Sequence, residues 1–218
     1  MEAMSRDKEP ARRGTHVVEL GSRSEPTRRA ILEAALRQFA RIGFEAASTR
    51  TIAEDAKVHH ALLRYHFADK EELWRSAIRL MFERQREEFR QEQAAQPVDV
   101  TTLEGSKEMV RRWVRYCAEH PEHAQILVHE AIADTPRLDW AVNEFVRANT
   151  LRFTGPLEAR GEDLRVPDPV LCSIIVSSAT QMTFVLSAHL RRVFGVEVTG
   201  PEFVERLSDA LIAMLFER

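Results

Sequence analysis

Residues 48–73 read STRTIAEDAKVHHALLRYHFADKEEL, and few folds admit that order. Ser48 or Thr49 supplies a side-chain oxygen for the open N–H groups of a helix start, and Ile52, Ala53 and Ala56 then recur on one face. The helix ends near Ala56. Lys57 and Val58 make a turn, with Val58 placed to plug the space between helices, and a second helix runs from about His60 to His66. Its buried side is drawn from Ala61, Leu62 or Leu63, and Phe67. Asp69 caps a third helix, and Glu72 stands where a capping-box carboxylate reaches back. The pattern predicts a helix-turn-helix opening directly into a longer helix.

The rest of the chain is helical in period. Ile31, Leu32, Ala35, Leu36 and Phe39 recur at helical spacing after Thr27. The helix capped by Asp69 is expected to reach about Ala95, on the order of 40 Å at a rise of ~1.5 Å per residue. Beyond Pro97, helices are expected over Lys107–Glu119, Pro121–Ala133, from Pro136 to a stop at Gly161, Pro169–Phe194 and Pro201–Phe216. Proline suits a first helical position, where its missing N–H is not needed. No repeats and no strand pattern occur, so the fold class is all-α. Residues 1–25, which hold Arg12, Arg13, Gly14 and Gly21 and no sustained apolar period, read as a flexible tail.

Two short helices with a solvent-facing second helix are the arrangement that reads a DNA major groove. The net charge of −3 conceals an asymmetry that fits: residues 1–70 carry 13 Lys and Arg against 10 Asp and Glu, and the remainder carries 18 against 24. A cation at Lys70, beside a helix start, opposes the helix dipole, which a nearby phosphate would explain. From Thr27 through RRAILEAALRQFARIGFEAASTRTIAEDAKVHHALLRYHFADKEELW, with its Gly43-Phe44 corner and its Tyr65-His66-Phe67 ending, the chain resembles the DNA-binding domain of the TetR family of bacterial transcriptional regulators. One departure is Lys57, where the family has glycine in a turn that favours positive φ.

The resemblance implies a division into a tail (1–25), a helix-turn-helix domain (26–72) and a helical effector-binding and dimerisation domain (73–218). It implies DNA contacts from Thr49, Arg50, His59, His60, Leu62, Arg64, Tyr65, His66 and Lys70. Arg64 is the best candidate for base readout, since a guanidinium pairs bidentately with guanine, and Lys70 matches a phosphate contact. The implied partners are a near-palindromic double-stranded operator, a small-molecule effector and a second copy of the chain. The implied function is repression, relieved by a small, largely apolar effector.

The last two segments carry more apolar surface than one intrachain seam needs, which supports a homodimer through Ile174, Val185, Leu207, Leu211 and Met214. For the effector, Trp113, Tyr116, Trp140, Phe145, Phe153 and Met182 offer aromatic or adaptable lining, with Asn149, Ser178 and Gln181 as polar anchors.

Other classes find less support. His120, His123 and His129 are too loosely spaced for a shared metal, and His129-Glu130 lacks the second histidine of a zinc-protease helix because Ala133 stands there. A metal- or thiol-responsive regulator, using these histidines or Cys117, is the alternative on the same scaffold. Cys117 and Cys172 lie within helical patterns and are expected as reduced thiols. There is no glycine-rich phosphate loop, nucleophile elbow or paired-carboxylate motif, so an enzyme is not expected, nor a cofactor or metal. No charge-free apolar run reaches ~18 residues and the N-terminus lacks a signal-peptide core, so a cytoplasmic protein without a membrane span is expected.

Overall fold

The computed structural model describes residues 18–158 and 164–216. Eleven α-helices and one π-helical stretch follow one another, with no strand among the described residues. The N-terminal helices are α1 (Val18–Ala46), α2 (Thr49–Asp55), α3 (His60–His66) and α4 (Lys70–Ala95). Each start follows from its cap: Ser48 accepts from the Arg50 N–H, and Asp69 accepts from the Glu72 N–H at 2.7 Å while the Glu72 carboxylate accepts from Ala68 N–H at 2.8 Å. Lys57 adopts φ 58°, the left-handed turn expected at a family glycine position. Of the residues offered for the buried side of α3, Leu63 and Phe67 are enclosed, and Ala61 and Leu62 face outward.

The expected tail is shorter than its composition suggests. Residues 18–25 belong to α1, which continues through Pro26, a residue that forfeits one hydrogen bond without forbidding the helix. Residues 1–17, the rest of that tail, lie outside the described residues.

Helices α5 (Leu103–Glu119), α6 (Pro121–Ala133), α7 (Pro136–Ala141), the π-helical stretch Val142–Val146, α8 (Arg147–Glu158), α9 (Pro169–Val185), α10 (Ser187–Phe194) and α11 (Pro201–Phe216) complete the chain. Helix α5 begins at Leu103, ahead of the expected Lys107, because the Thr102 hydroxyl caps it through Gly105 N–H. The segment from Pro136 is broken where one rod was expected. The wider π turn stacks Phe145 on Phe82 at 4.6 Å between centroids, with Trp140 edge-on to Trp74 at 5.7 Å. Its expected stop, Gly161, lies outside the described residues. The segment Pro169–Phe194 is likewise two helices, bent by 75° at Leu186. The bend brings Leu190 back onto the core, which a straight rod would carry into solvent.

Two cores result, and their division does not coincide with the sequence boundary at residue 72. The first joins Ile31, Leu36 and Phe39 of α1, Ile52, Leu63 and Phe67 of the helix-turn-helix, and Trp74, Ile78 and Phe82 of α4 to Ile126 of α6 and Phe145. The second joins Val110, Val114 and Tyr116 of α5 to Leu157, Val176, Phe184, Leu211 and Leu215. The reading head is thus packed directly on the body. No single described helix is long and apolar enough to cross a membrane; only α9 and α10 taken together pass by length and composition, and they form a bent pair.

Candidate nucleic-acid interface and effector region

Helix α3 owes its orientation to Leu63 and Phe67, each 1% exposed and fixed in the first core. The opposite face is therefore turned outward, and it carries Leu62, Arg64 and Tyr65, the last 80% exposed. Arg50, at the start of α2, and His59, before α3, are also exposed. Among the described residues, the guanidinium groups of Arg50 and Arg64 form no hydrogen bond or ion pair, so their donors are available to a ligand. Tyr65 and His66 meet edge-on at 5.4 Å, and His66 lies half-buried against Phe67.

Three members of the expected set have partners within the head. Thr49 Oγ1 and His60 Nε2 are 3.0 Å apart, a bond that ties the start of α2 to the start of α3 and sets the angle between them. Lys70 Nζ donates to the carbonyls of Phe44, Glu45 and Ala47 at 2.9, 3.3 and 3.2 Å, which uses all three ammonium protons. Lys70 thus closes the C-terminal carbonyls of α1, where a positive charge is favoured. Thr49, His60, Arg64 and Lys70 nonetheless share one hollow in the head, lined also by Ser48 and Asp69. Arg28 was not among the expected residues. It lies 5.3 Å over the Phe67 ring and brings a cation to the end of α3; its only sequence signal is the Arg28-Arg29 pair opening the periodic part of α1.

The residues expected to line an effector pocket do not form one group. Trp140 and Phe145 belong to the first core, and Trp113, Tyr116 and Phe153 to the second. Asn149 spans towards α4, donating to Gln85 Oε1 at 2.8 Å. Ser178 and Met182 lie on the outer side of α9, and Gln181 is half-buried. The period of α9 explains this, because its inner stripe is Cys172, Val176, Thr180 and Phe184, which leaves Ser178 and Met182 on the other side. Two buried polar atoms face the second core without a hydrogen-bond partner among the described residues, the Trp113 indole N–H and the Thr180 hydroxyl.

The histidines each have a separate partner. His120 pairs with Glu88 at 2.9 Å and with Glu122 at 3.6 Å, His123 with the Tyr116 hydroxyl at 2.9 Å, and His129 Nε2 donates to the Ala40 carbonyl at 3.2 Å. Burial holds the His123 imidazole down at about 3, so it is neutral; Arg84 and His120 reinforce this and Glu122 opposes it. For Glu122, burial favours the neutral acid, yet hydrogen bonds from His120, the backbone and Arg84 prevail and hold it down at about 2. No cluster of three metal-ligating side chains occurs among the described residues. Burial pushes the Cys117 and Cys172 thiols up, away from the reactive thiolate.

Of the expected interface residues, Ile174 and Met214 are exposed at 53% and 41%, and Val185 and Leu207 are half-buried. Leu211 is 3% exposed and packs within the second core of the chain itself.

Residues 31–77 match the model described as bacterial regulatory proteins, tetR family. Among solved structures the chain is similar to the ketosteroid transcriptional regulator KstR2 of Mycobacterium tuberculosis, with TM-score 0.66, 19% identity, and coverage of 88% of this chain and 95% of that one. It is similar to FadR from Bacillus subtilis in complex with stearoyl-CoA, with TM-score 0.62, 16% identity and coverage of 85% and 98%. A third is HlyIIR, a hemolysin II transcriptional regulator, with TM-score 0.62, 19% identity and coverage of 87% and 98%. No curated protein matches the chain in sequence. At these identities the structural likeness speaks for the fold, and the head carries the family signature. The match to the family is confined to residues 31–77, and the likeness of the whole chain to these structures is one of fold.

Proposed function

We propose that the protein is a homodimeric repressor that binds a near-palindromic operator through α2 and α3 and leaves it when a small, largely apolar effector enters the body. The observation that carries the DNA reading is the outward face of α3, where Arg64 and Tyr65 stand exposed beside Arg50 while Leu63 and Phe67 fix the helix beneath them. An unpaired guanidinium on a rigid helix is suited to bidentate readout of guanine. The dimer reading is supported by the apolar stripe left open on α9 and α11, where Leu171, Ile174 and Met214 are all more than a third exposed.

The effector reading moves from the nine expected residues to the second core. The buried Trp113 N–H and Thr180 hydroxyl, unpaired among the described residues, lie on α5 and α9, the helices that bring Tyr116, Val176 and Phe184 to that core, so a mainly apolar surround has one donor and one hydroxyl for orientation. Two structural neighbours are named for apolar ligands, a ketosteroid regulator and a FadR in complex with stearoyl-CoA, which supports the same ligand chemistry here. Nothing in the histidine or cysteine geometry favours the metal- or thiol-responsive alternative.

Selection from randomised duplexes tests the reading. The recovered site is expected to be near-palindromic, with half-sites ~34–36 Å apart or a multiple of the helical turn. Arg64→Ala is expected to cost ~1–3 kcal/mol on that site and to relax preference at one base position per half-site. Equal affinity for the selected and random duplexes would sink the proposal. Acyl thioesters and steroids are then screened for a raised melting temperature together with altered operator affinity; binders that raise the first and leave the second unchanged would remove the effector-release part alone.

A further inference from the structure

The corner that ends α1 is gripped from two sides. Gly43 takes φ 74°, and a β-carbon there would stand 3.3 Å from the His129 ring, so the close seat of α6 on this corner depends on glycine. The next residue, Phe44, stacks on Phe39 at 5.9 Å and has two cations on its ring: Lys70 Nζ at 4.3 Å from the centroid and the Arg137 guanidinium at 3.7 Å. Lys70 belongs to the head, at the start of α4. Arg137 belongs to α7 in the body.

Arg137 is tied to each neighbouring element by a separate contact. Its Nε meets Glu130 of α6 at 3.0 Å, its Nη2 meets Glu45 of α1 at 3.3 Å, and its Nη1 meets Glu71 of α4 at 3.7 Å. Glu130 is 2% exposed and also accepts from the hydroxyl of Thr135, the residue that caps α7, so the guanidinium cannot drift without stranding a buried carboxylate. Lys70, over the same Phe44 ring, holds the carbonyls of Phe44 and Ala47 at the junction of α1 and α2, and Thr49 just beyond them holds His60. A continuous set of contacts therefore runs from α7, through Arg137, Phe44 and Lys70, to the first residue of the reading helix.

We propose that Arg137 is the positioning residue through which the body sets the placement of the DNA-reading helices. The inference rests on the reading that the head binds DNA, and deepens it by naming the joint. A guanidinium suits the place: it lies over the ring while its Nε and Nη2 donate to Glu130 and Glu45 and its Nη1 pairs with Glu71, three partners reached from three separate nitrogens in a fixed fork. Because coupling is reciprocal, a joint that passes a body rearrangement to the head must also pass operator binding back to α7.

The test is hydrogen exchange on the full chain with and without its selected operator. In the wild type, operator is expected to slow exchange at least fivefold in residues 136–146 as well as in the head. In Arg137→Lys, which keeps the charge, and in Phe44→Leu, which keeps an apolar side chain and all the ion pairs, protection of the head persists and the change at residues 136–146 falls below twofold. Two differently placed variants guard against one that fails to fold. Undiminished protection at 136–146 in either folded variant, or none there in the wild type, overturns the proposal while leaving DNA binding intact. Failure of the wild type to bind any duplex overturns the DNA reading itself, and this inference with it.

Discussion

The hydroxyl of Tyr116 lies 2.9 Å from Nδ1 of His123, with both side chains buried between α4, α5 and α6. Burial pushes the Tyr116 phenol up and the imidazole down, so a neutral phenol and a neutral imidazole share this hydrogen bond. Phe82 meets the same imidazole edge-on at 4.7 Å. The histidine is a neutral structural partner here, which gives the fold a sensitivity to acid.

The sign follows from comparing folded and unfolded chains. The His123 imidazole sits at about 3 in the native protein, against ~6.5 for a free imidazole. Between these values the unfolded chain binds a proton that the folded chain refuses, so stability is full above ~6.5 and declines as pH falls towards 3. The expected slope from this group is ~1.4 kcal/mol per pH unit in that window. His123→Gln, which can still accept from Tyr116, is expected to flatten the decline between pH 6 and pH 5 in urea titrations; an unchanged slope would show that other groups govern it.

The dimer prediction separates three apolar positions that the sequence treats alike. Ile174→Glu and Met214→Glu place a charge where the subunit itself is open, so each variant is expected to remain folded and to sediment as a monomer. Leu211→Glu buries an unpaired charge inside the subunit's second core, at a cost of several kcal/mol, and is expected to unfold it. Folded dimers from both Ile174→Glu and Met214→Glu would place the interface elsewhere.

For Lys70 an internal role and a phosphate contact give opposite results. With all three protons on backbone carbonyls, Lys70→Ala is expected to lower the melting temperature by several degrees, since hydrogen bonds to a charged group contribute a net ~1.5–3 kcal/mol when buried and less where solvent reaches them, and to leave the salt dependence of operator binding unchanged. A salt slope lower by about one unit with unaltered stability would mean that the ammonium turns to a phosphate on the DNA.

The sequence by itself determined what depends on near neighbours in the chain. Ser48, Asp69 and Glu72 announce their helix starts because capping is a contact of two to four residues, and prolines mark helix starts because a missing N–H acts locally. The all-α class follows from the same short-range order, whereas the choice between Leu62 and Leu63 for the inner side of α3 was made by packing, which encloses Leu63 and Phe67 and so turns Arg64 and Tyr65 outside. Only the tertiary structure decided which surplus apolar residues remain open: Ile174, Leu211 and Met214 have equal standing in a periodic pattern, and the packing of α5, α9 and α11 selects Leu211 for the interior. The scattering of the expected pocket residues over two cores is of the same kind, because periodicity gives a face and not its partner. The assignments furthest from the sequence are those of Lys70, His129 and Arg137, whose partners Phe44, Ala40 and Glu45 lie 26, 89 and 92 residues away. No local pattern encodes such pairings; they exist because the folded chain seats α6 and α7 on the end of α1.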